Sequence, residues 1–296
     1  MTERALEVLG PGALTTVQDL GRPGYAHLGV TRSGALDRPA LRLANRLVGN
    51  EEGAAGLETT LDGVRFRARQ SCRIAVTGGE AVVTVGGRPA AWGSAVPVPA
   101  GIEVTVGPAF RGLRSYVAAA GGIEVEAVLG SRSSDLLSGL GPAPLTVGML
   151  LPLGPAGRAP EEAVALPRPV GTVLRLELGP REDWFTDEAL GSLDGSVYEV
   201  GAASNRIGLR LSGRPIERAR SGELPTEPMV LGAVQVPPSG QPVVFLADHP
   251  TTGGYPVIAV VREADLPVCA QARPGDRLTL RVVAAAVAAP GRPPRS

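Results

Sequence analysis

Short apolar runs bounded by glycine, proline and polar turn residues recur along the whole chain. Ile74–Thr77, Ala81–Val85 and Val243–Leu246 have the length and aliphatic, partly β-branched make-up of strands. Leu6–Leu9 and Leu174–Leu178 read the same way, and each run ends in Leu-Gly-Pro. The period changes once with clarity. Asp37 is placed to cap a helix, Pro39 fits its first turn, and Ala40, Leu43, Ala44 and Leu47 follow the i, i+3, i+4, i+7 spacing. Gly49-Asn50 then stops it. A second helix is predicted from about Arg181 through Trp184, Phe185 and Leu190. The class is mostly β, with a few short helices.

Pro152–Gly171, rich in proline, alanine and glycine, reads as a linker or long loop between two halves that echo one another. Leu9-Gly10-Pro11 recurs as Leu178-Gly179-Pro180. Ser33 followed by Ala40-Leu-Arg-Leu recurs as Ser204 followed by Gly208-Leu-Arg-Leu. Pro99-Ala-Gly-Ile-Glu-Val-Thr-Val is matched by Arg273-Pro-Gly-Asp-Arg-Leu-Thr-Leu. The landmarks keep one order at offsets of 168 to 174 residues, which points to internal duplication; chance recurrence of common turns is the alternative. The expected organisation is a β-domain over 1–160, a related β-domain over 161–290, and a disordered tail over 291–296.

Composition narrows the chemistry. All 29 basic residues are arginine, balanced by 29 acidic residues. Without lysine, these 296 residues make no Schiff base, contain no P-loop GxxxxGK[ST], and carry no covalent biotin. Zero net charge argues against a nucleic-acid or anionic-membrane partner. Apolar residues make up 44%, enough for real cores, and at 3% aromatic those cores are aliphatic. The 40 glycines and 28 prolines imply many turns. Two cysteines and two histidines give no zinc-ligand spacing, so no metal is expected; Cys72 and Cys269 are read as core residues. The N-terminus lacks the apolar region of a signal peptide, and the longest uncharged stretch, 136–157, holds four prolines and five glycines, too many for a membrane helix. A reduced, cytoplasmic setting is expected.

The densest polar constellation follows the Val243–Leu246 run: Asp248, His249, Thr251, Thr252, Gly253, Gly254 and Tyr255. Glycines expose backbone N–H groups, hydroxyls add donors, and His249 titrates near neutrality, so the loop is a candidate site. The structural alternative is a turn in which Asp248 caps local N–H groups. A second candidate is Thr15–Gly24, with Gln18, Asp19 and an Arg22 able to fork onto a carboxylate or phosphate. Its alternative is an internal Asp19–Arg22 pair. Ser33 through Asp37, and Ser204-Asn205-Arg206, are either caps or ligand clamps. No G-x-S-x-G elbow and no correctly placed G-x-G-x-x-G is present.

Taken together, Leu14–Gly24, Ser33–Asp37, Leu43–Asn50, Ala119–Ile123, Leu129–Ser133, Ser204–Leu211, Gln235-Val-Pro, Gly240-Gln241-Pro, Asp248–Pro256 and Ala270–Asp276 resemble the family called allophanate hydrolase subunit 2, or biotin-dependent carboxyltransferase. The resemblance covers about Leu6 to Asp276. It implies two cyclophilin-like β-barrels, in agreement with the duplication. It implies a homologous B-type subunit as partner and, in ATP-dependent 5-oxoprolinase, an A-type subunit, the assembly opening 5-oxo-L-proline to L-glutamate. Relatives fused within urea carboxylase instead carboxylate urea, and a third role is a regulatory binding protein acting through a B-type homologue. On this reading Asp248, His249 and Tyr255 are catalytic, and Thr251, Thr252, Gly253, Gly254, Gln235, Gln241, Ser204, Asn205 and Arg206 hold a small amide substrate. Gln18, Asp19, Arg22, Ser33 and Asp37 make a possible second site. ATP binds through arginine and backbone N–H groups, or at a partner subunit or interface. The missing lysine favours lactam opening over carboxyl transfer.

Overall fold

The computed structural model describes residues 4–157, 163–166, 170–222 and 224–283. The first half runs β1 (Ala5–Gly10), β2 (Leu14–Gln18), α1 (Arg38–Val48), β3 (Gly56–Thr60), β4 (Val64–Ala68), β5 (Cys72–Val85), β6 (Arg88–Ala90), β7 (Val96–Val98), β8 (Glu103–Ala119) and β9 (Leu150–Pro152). These strands form one curled sheet in the order β2-β3-β8-β4-β1-β9, with β5 laid along β8 and carrying β6 and β7. The second half runs β10 (Val173–Leu178), α2 (Asp187–Leu193), β11 (Val197–Val200), β12 (Gly208–Ser212), β13 (Glu227–Pro228), β14 (Ala233–Gln235), β15 (Val243–Phe245), β16 (Thr252–Gly253), β17 (Val257–Val261), α3 (Leu266–Gln271) and β18 (Arg277–Val282). Seven of these strands close a barrel, β10-β17-β14-β15-β12-β11-β18, shut by a parallel β10–β18 pairing; β13 and β16 form a separate ladder.

α1 forms where the pattern puts it. Asp37 Oδ1 accepts from the Ala40 N–H at 3.1 Å, and Gly49, left-handed at φ 82°, turns its N–H back to the last carbonyls. The helix predicted at Arg181 is broken in two: a 3-10 turn over Glu182–Trp184, then α2. Thr186 explains the break, because it lies extended and its hydroxyl accepts from Ala189 N at 3.1 Å, capping a new helix. Ile74–Thr77 and Ala81–Val85 are one strand, β5, whose register against β8 shifts three times between Gly78 and Val83.

Leu-Gly-Pro closes both β1 and β10, and Gly101 and Gly275, at φ 77° and 89°, make matching turns into β8 and β18. The Ala40/Gly208 echo is a coincidence of letters, since Ala40–Leu43 lies in α1 and Gly208–Leu211 in β12. The cap and proline before Ala40 dictate a helix, whereas Gly208 is held in a ladder against Phe245. The boundary expected at 160 and the tail 291–296 fall outside the described residues.

Each half has an aliphatic core. Leu6, Val8, Leu57, Phe66, Ile74, Val104 and Leu151 fill the first, and Leu174, Leu176, Leu209, Val234, Val244, Ile258 and Leu280 fill the barrel. Leu36, from the turn before α1, is buried in the barrel's core, an insertion worth about 2 kcal/mol. Gln271 at the end of α3 stitches the halves from the other side. Its Oε1 accepts from Leu113 N and Arg114 N at 2.9 and 3.0 Å, and its Nε2 donates to Asp37 Oδ2 and the Arg114 carbonyl at 2.9 and 3.0 Å.

Candidate functional site

The loop after β15 divides its polar residues between two places. Asp248 turns into the seam between the halves, where it is fully buried. Arg206 donates to it through Nε and Nη2 at 2.9 and 3.0 Å, Ser33 Oγ at 2.7 Å, and Leu136 N at 3.1 Å. Arg206, 1% exposed, donates with Nη1 to Glu58 of β3 and with Nη2 to the Gly34 carbonyl at 2.7 Å. Glu58 also accepts from Leu36 N at 2.9 Å and from the Tyr116 hydroxyl at 2.8 Å. Burial by itself raises the Glu58 pKa; Arg206 and Arg114 outweigh it and hold the carboxyl below its ordinary value. Burial opposes the Arg206 cation too, but Glu58 and Asp248 overcome that and bind its proton more tightly. Every oxygen of this cluster is committed to a protein donor, so Asp248 acts as a fixed counter-ion. The backbone holds it at a cost: Ser33 is left-handed at φ 51°, and at Gly34, φ 95°, a Cβ would lie 2.8 Å from Gly21 N.

His249 faces the other way. Its ring stacks on Phe245 of β15, centroids 5.7 Å apart and planes within 7°. Nδ1 lies 2.6 Å from the Pro250 carbonyl, which accepts only from a protonated nitrogen, so Nε2 keeps the lone pair. Burial lowers the His249 pKa, only partly offset by the Pro250 carbonyl and Asp248, so the imidazole is neutral at pH 7.

Phe245 also lines a cavity of about 240 Å³ on the outer face of the barrel, together with Asn205, Ile207, Arg210, Gln235, Pro237, Val243 and Tyr255. Gln235 Nε2 donates to the Tyr255 carbonyl at 3.1 Å, which leaves its Oε1 free to accept. Gly253 packs so closely on this amide that a Cβ there would lie 2.8 Å from Gln235 Nε2. An apolar wall, a neutral imidazole behind it, an amide and a phenol make a setting for a small polar organic molecule.

Of the other expected residues, Asn205 lines this cavity and Gly253 packs against Gln235, while the rest are held in turns and ladders outside its lining. Thr252 and Gly253 pair with Pro228 and Glu227, the Thr251 carbonyl accepts from Met229 N at 2.8 Å, and the Gly254 carbonyl from Leu224 N at 2.9 Å. Their backbone is therefore engaged in the β13–β16 ladder. Asn205 Oδ1 accepts from Ile207 N at 2.8 Å and Gly208 N at 3.2 Å, and Ser204 Oγ from Arg210 N at 3.0 Å, fixing the turn into β12. Gln241 brackets Gly213 with bonds of 2.9 and 3.1 Å.

The family profile described as "Carboxyltransferase domain, subdomain A and B" matches residues 28–282, which include both the seam and the cavity. The chain belongs to this carboxyltransferase family. It is 38% identical over 265 residues to the C-type subunit of 5-oxoprolinase from Escherichia coli (strain K12), covering 88% of this chain and 86% of that one. It is 35% identical to the urea amidolyase of Lachancea kluyveri, covering 93% of this chain but only 17% of that protein. The solved K. lactis urea amidolyase superposes with a TM-score of 0.88 at 32% identity, over 95% of this chain and 19% of that one.

Within this carboxyltransferase-family chain, the second group of expected residues is built into a buried belt around Ser131–Gly141. Asp19 accepts from Gly21 N, Ser131 Oγ and Arg132 N, each at 2.7 Å. Gln18 Nε2 donates to Thr16 and to the Ser134 carbonyl at 3.0 and 2.9 Å, and Arg22 donates to the carbonyls of Val128 and Ser133. Ser33 bridges Asp248 and the Ser134 carbonyl, and Asp37 caps α1. Arg22 and Arg206 are each 1% exposed, so neither guanidinium is open to a phosphate. Sequence reasoning missed Glu58, Arg114, Tyr116, Phe245 and Gln271. The available signal was Glu58, a lone charge inside the run Gly56–Leu61. No helix among the described residues is long and apolar enough to cross a membrane.

Proposed function

We propose that this chain is the C-type subunit of a 5-oxoprolinase, acting with A- and B-type subunits to open 5-oxo-L-proline to L-glutamate at the expense of ATP. The observation that carries this reading is the two-way coverage of the match: this chain and its E. coli relative span one another almost end to end. The absence of lysine supports it, because no biotin is carried on these residues. In this reading the cavity on the outer face of the barrel receives the lactam. Gln235 and Tyr255 orient it, and neutral His249, stacked behind Phe245 with Nδ1–H pinned to Pro250, fixes that wall of the cavity. ATP is held at a partner subunit or an interface.

The test is co-expression with the A- and B-type subunits and measurement of ATP-dependent glutamate release from 5-oxoproline. Turnover by the full set, none by this chain alone, and loss with His249→Gln support the reading; no turnover by the full set refutes it. The family description and the urea amidolyase superposition favour a second reading, carboxyl transfer to urea from a biotinyl carrier on another polypeptide. Carboxylation of urea by this chain with a carboxybiotinylated carrier decides for that reading. A purely regulatory binding role leaves both assays unchanged by His249→Gln.

A further inference from the structure

On the outer face of the barrel, one row of side chains across β12, β15 and β14 reads Arg210, Val243, Gln235, because Val243 lies in register with both of the others. Arg210 and Gln235 are therefore two strand spacings apart, about 10 Å, with a short apolar side chain between them. Two residues along the strands, Phe245 lies opposite Gly208. Glycine adds no side chain to the floor there, and a Cβ in its place would meet Val243 Cγ1 at 2.8 Å. Space is thus kept open beside Arg210, and all five residues line the cavity of about 240 Å³.

Among the residues lining that cavity, Arg210 alone is charged. Elsewhere on the barrel Arg175, Arg181 and Arg262 each hold a carboxylate, whereas the Arg210 guanidinium has neither an ion pair nor a hydrogen bond among the described residues. A cation in a cavity that supplies no carboxylate is matched by an anion brought from outside. The far end of the row is its complement. Gln235, 8% exposed, has its Nε2 fixed on the Tyr255 carbonyl, which leaves Oε1 to accept an N–H. On the Arg210 side, Asn205 spends its Oδ1 on the turn into β12 and keeps Nδ2 as a further donor. Donors at one end, an acceptor at the other and an apolar floor between them suit a compact molecule that carries a carboxylate next to an N–H. We infer that Arg210 is a specificity-determining residue: its guanidinium takes the carboxylate of the substrate while Gln235 Oε1 accepts the lactam N–H, so the cavity selects an anionic amide over a neutral one. This deepens the proposed reading and rests on it for the identity of the lactam.

The experiment is ligand-observed NMR titration of the purified chain with 5-oxo-L-proline, with 2-pyrrolidinone, which is the same ring without the carboxylate, and with urea. The chain binds 5-oxo-L-proline about tenfold or more tighter than either neutral amide. Arg210→Gln weakens 5-oxo-L-proline by about that factor and leaves 2-pyrrolidinone unchanged. Arg210→Lys restores part of the loss, and Arg214→Gln, at an exposed pair with Glu188, changes nothing. Gln235→Leu, which removes the acceptor, weakens both lactams alike. Thermal unfolding checks each fold, and Arg210→Met replaces Arg210→Gln should that variant fold poorly. In the full set of subunits, loss of the Arg210 cation raises KM for 5-oxo-L-proline and spares kcat. No binding of 5-oxo-L-proline by the chain, equal binding by the folded Arg210 variants, or 2-pyrrolidinone bound as tightly overturns the inference; turnover by the wild-type full set then leaves the 5-oxoprolinase reading standing. Binding that needs both the carboxylate and Arg210, without turnover by the full set, upholds the inference and sinks that reading.

Discussion

Asp248 and His249 are adjacent in sequence and serve opposite regions. Around Asp248 every lone pair meets a donor and solvent is excluded, so the Arg206–Asp248–Glu58 cluster holds the halves in register. Around His249 the groups keep spare capacity: Nε2 has its lone pair, Gln235 Oε1 is free, and a cavity lies against the stacked Phe245. The same residue types give a joint in one place and a candidate reaction site in the other. What separates them is the completeness of hydrogen bonding, which composition does not reveal.

The comparison breaks most readily at Arg206. Arg206→Ala leaves Glu58 and Asp248 buried without their cation and is expected to cost about 3–5 kcal/mol, read as a shift in the urea midpoint; a loss under about 1 kcal/mol would mean the seam is not a joint. His249→Gln tests the other region: with the ring that backs Phe245 removed, substrate is misplaced and turnover of the assembled complex falls up to about 100-fold while the urea midpoint barely moves. A large stability loss with unchanged turnover would reverse the two roles. Gln271→Ala, which removes four bonds across the halves, should cost about 1–3 kcal/mol without touching the cavity.

Acid titration separates the regions by pH. The folded His249 binds its proton less readily than an ordinary imidazole at 6.5, so the unfolded chain is protonated first and stability declines as pH falls below about 6.5. Glu58 is held below the usual 4.5, so its contribution is present above that value and is lost as pH falls through the lower folded value. Stability measured from pH 8 to 3 should therefore fall in two stages, and His249→Gln should remove only the first. The smallest effect is expected at Gln241→Ala, about 1 kcal/mol from the lost Gly213 bracket, with turnover unchanged.

Local chemistry made α1 legible, because its cap, proline and glycine stop all lie within a few residues. Strand composition was legible too, but the continuity of β5 was not: Gly78-Gly79 reads as a break, and only the partner β8 shows that pairing continues through a bulged bend. Thr186 was overlooked because the apolar spacing around Trp184 and Phe185 hides an N-cap in the middle of an apparently helical stretch. At the candidate site, the Asp248–Tyr255 loop stood out by density of polar groups. Its division did not, because Asp248 is defined by Glu58 and Ser33, which lie 190 and 215 positions away along the chain. Gln271 was invisible for the same reason, since its partners Asp37, Leu113 and Arg114 belong to the other half.

The barrel is closed in its hydrogen-bond ring but open in its charge balance. Arg206 belongs to the second half, and one of its two carboxylates, Glu58, belongs to the first. Produced as two separate polypeptides cut within 153–172, the halves would therefore recognise one another as a matched plug and socket, and mixing them would restore both the missing leucine in the barrel core and the Arg206–Glu58 pair that crosses between the pieces.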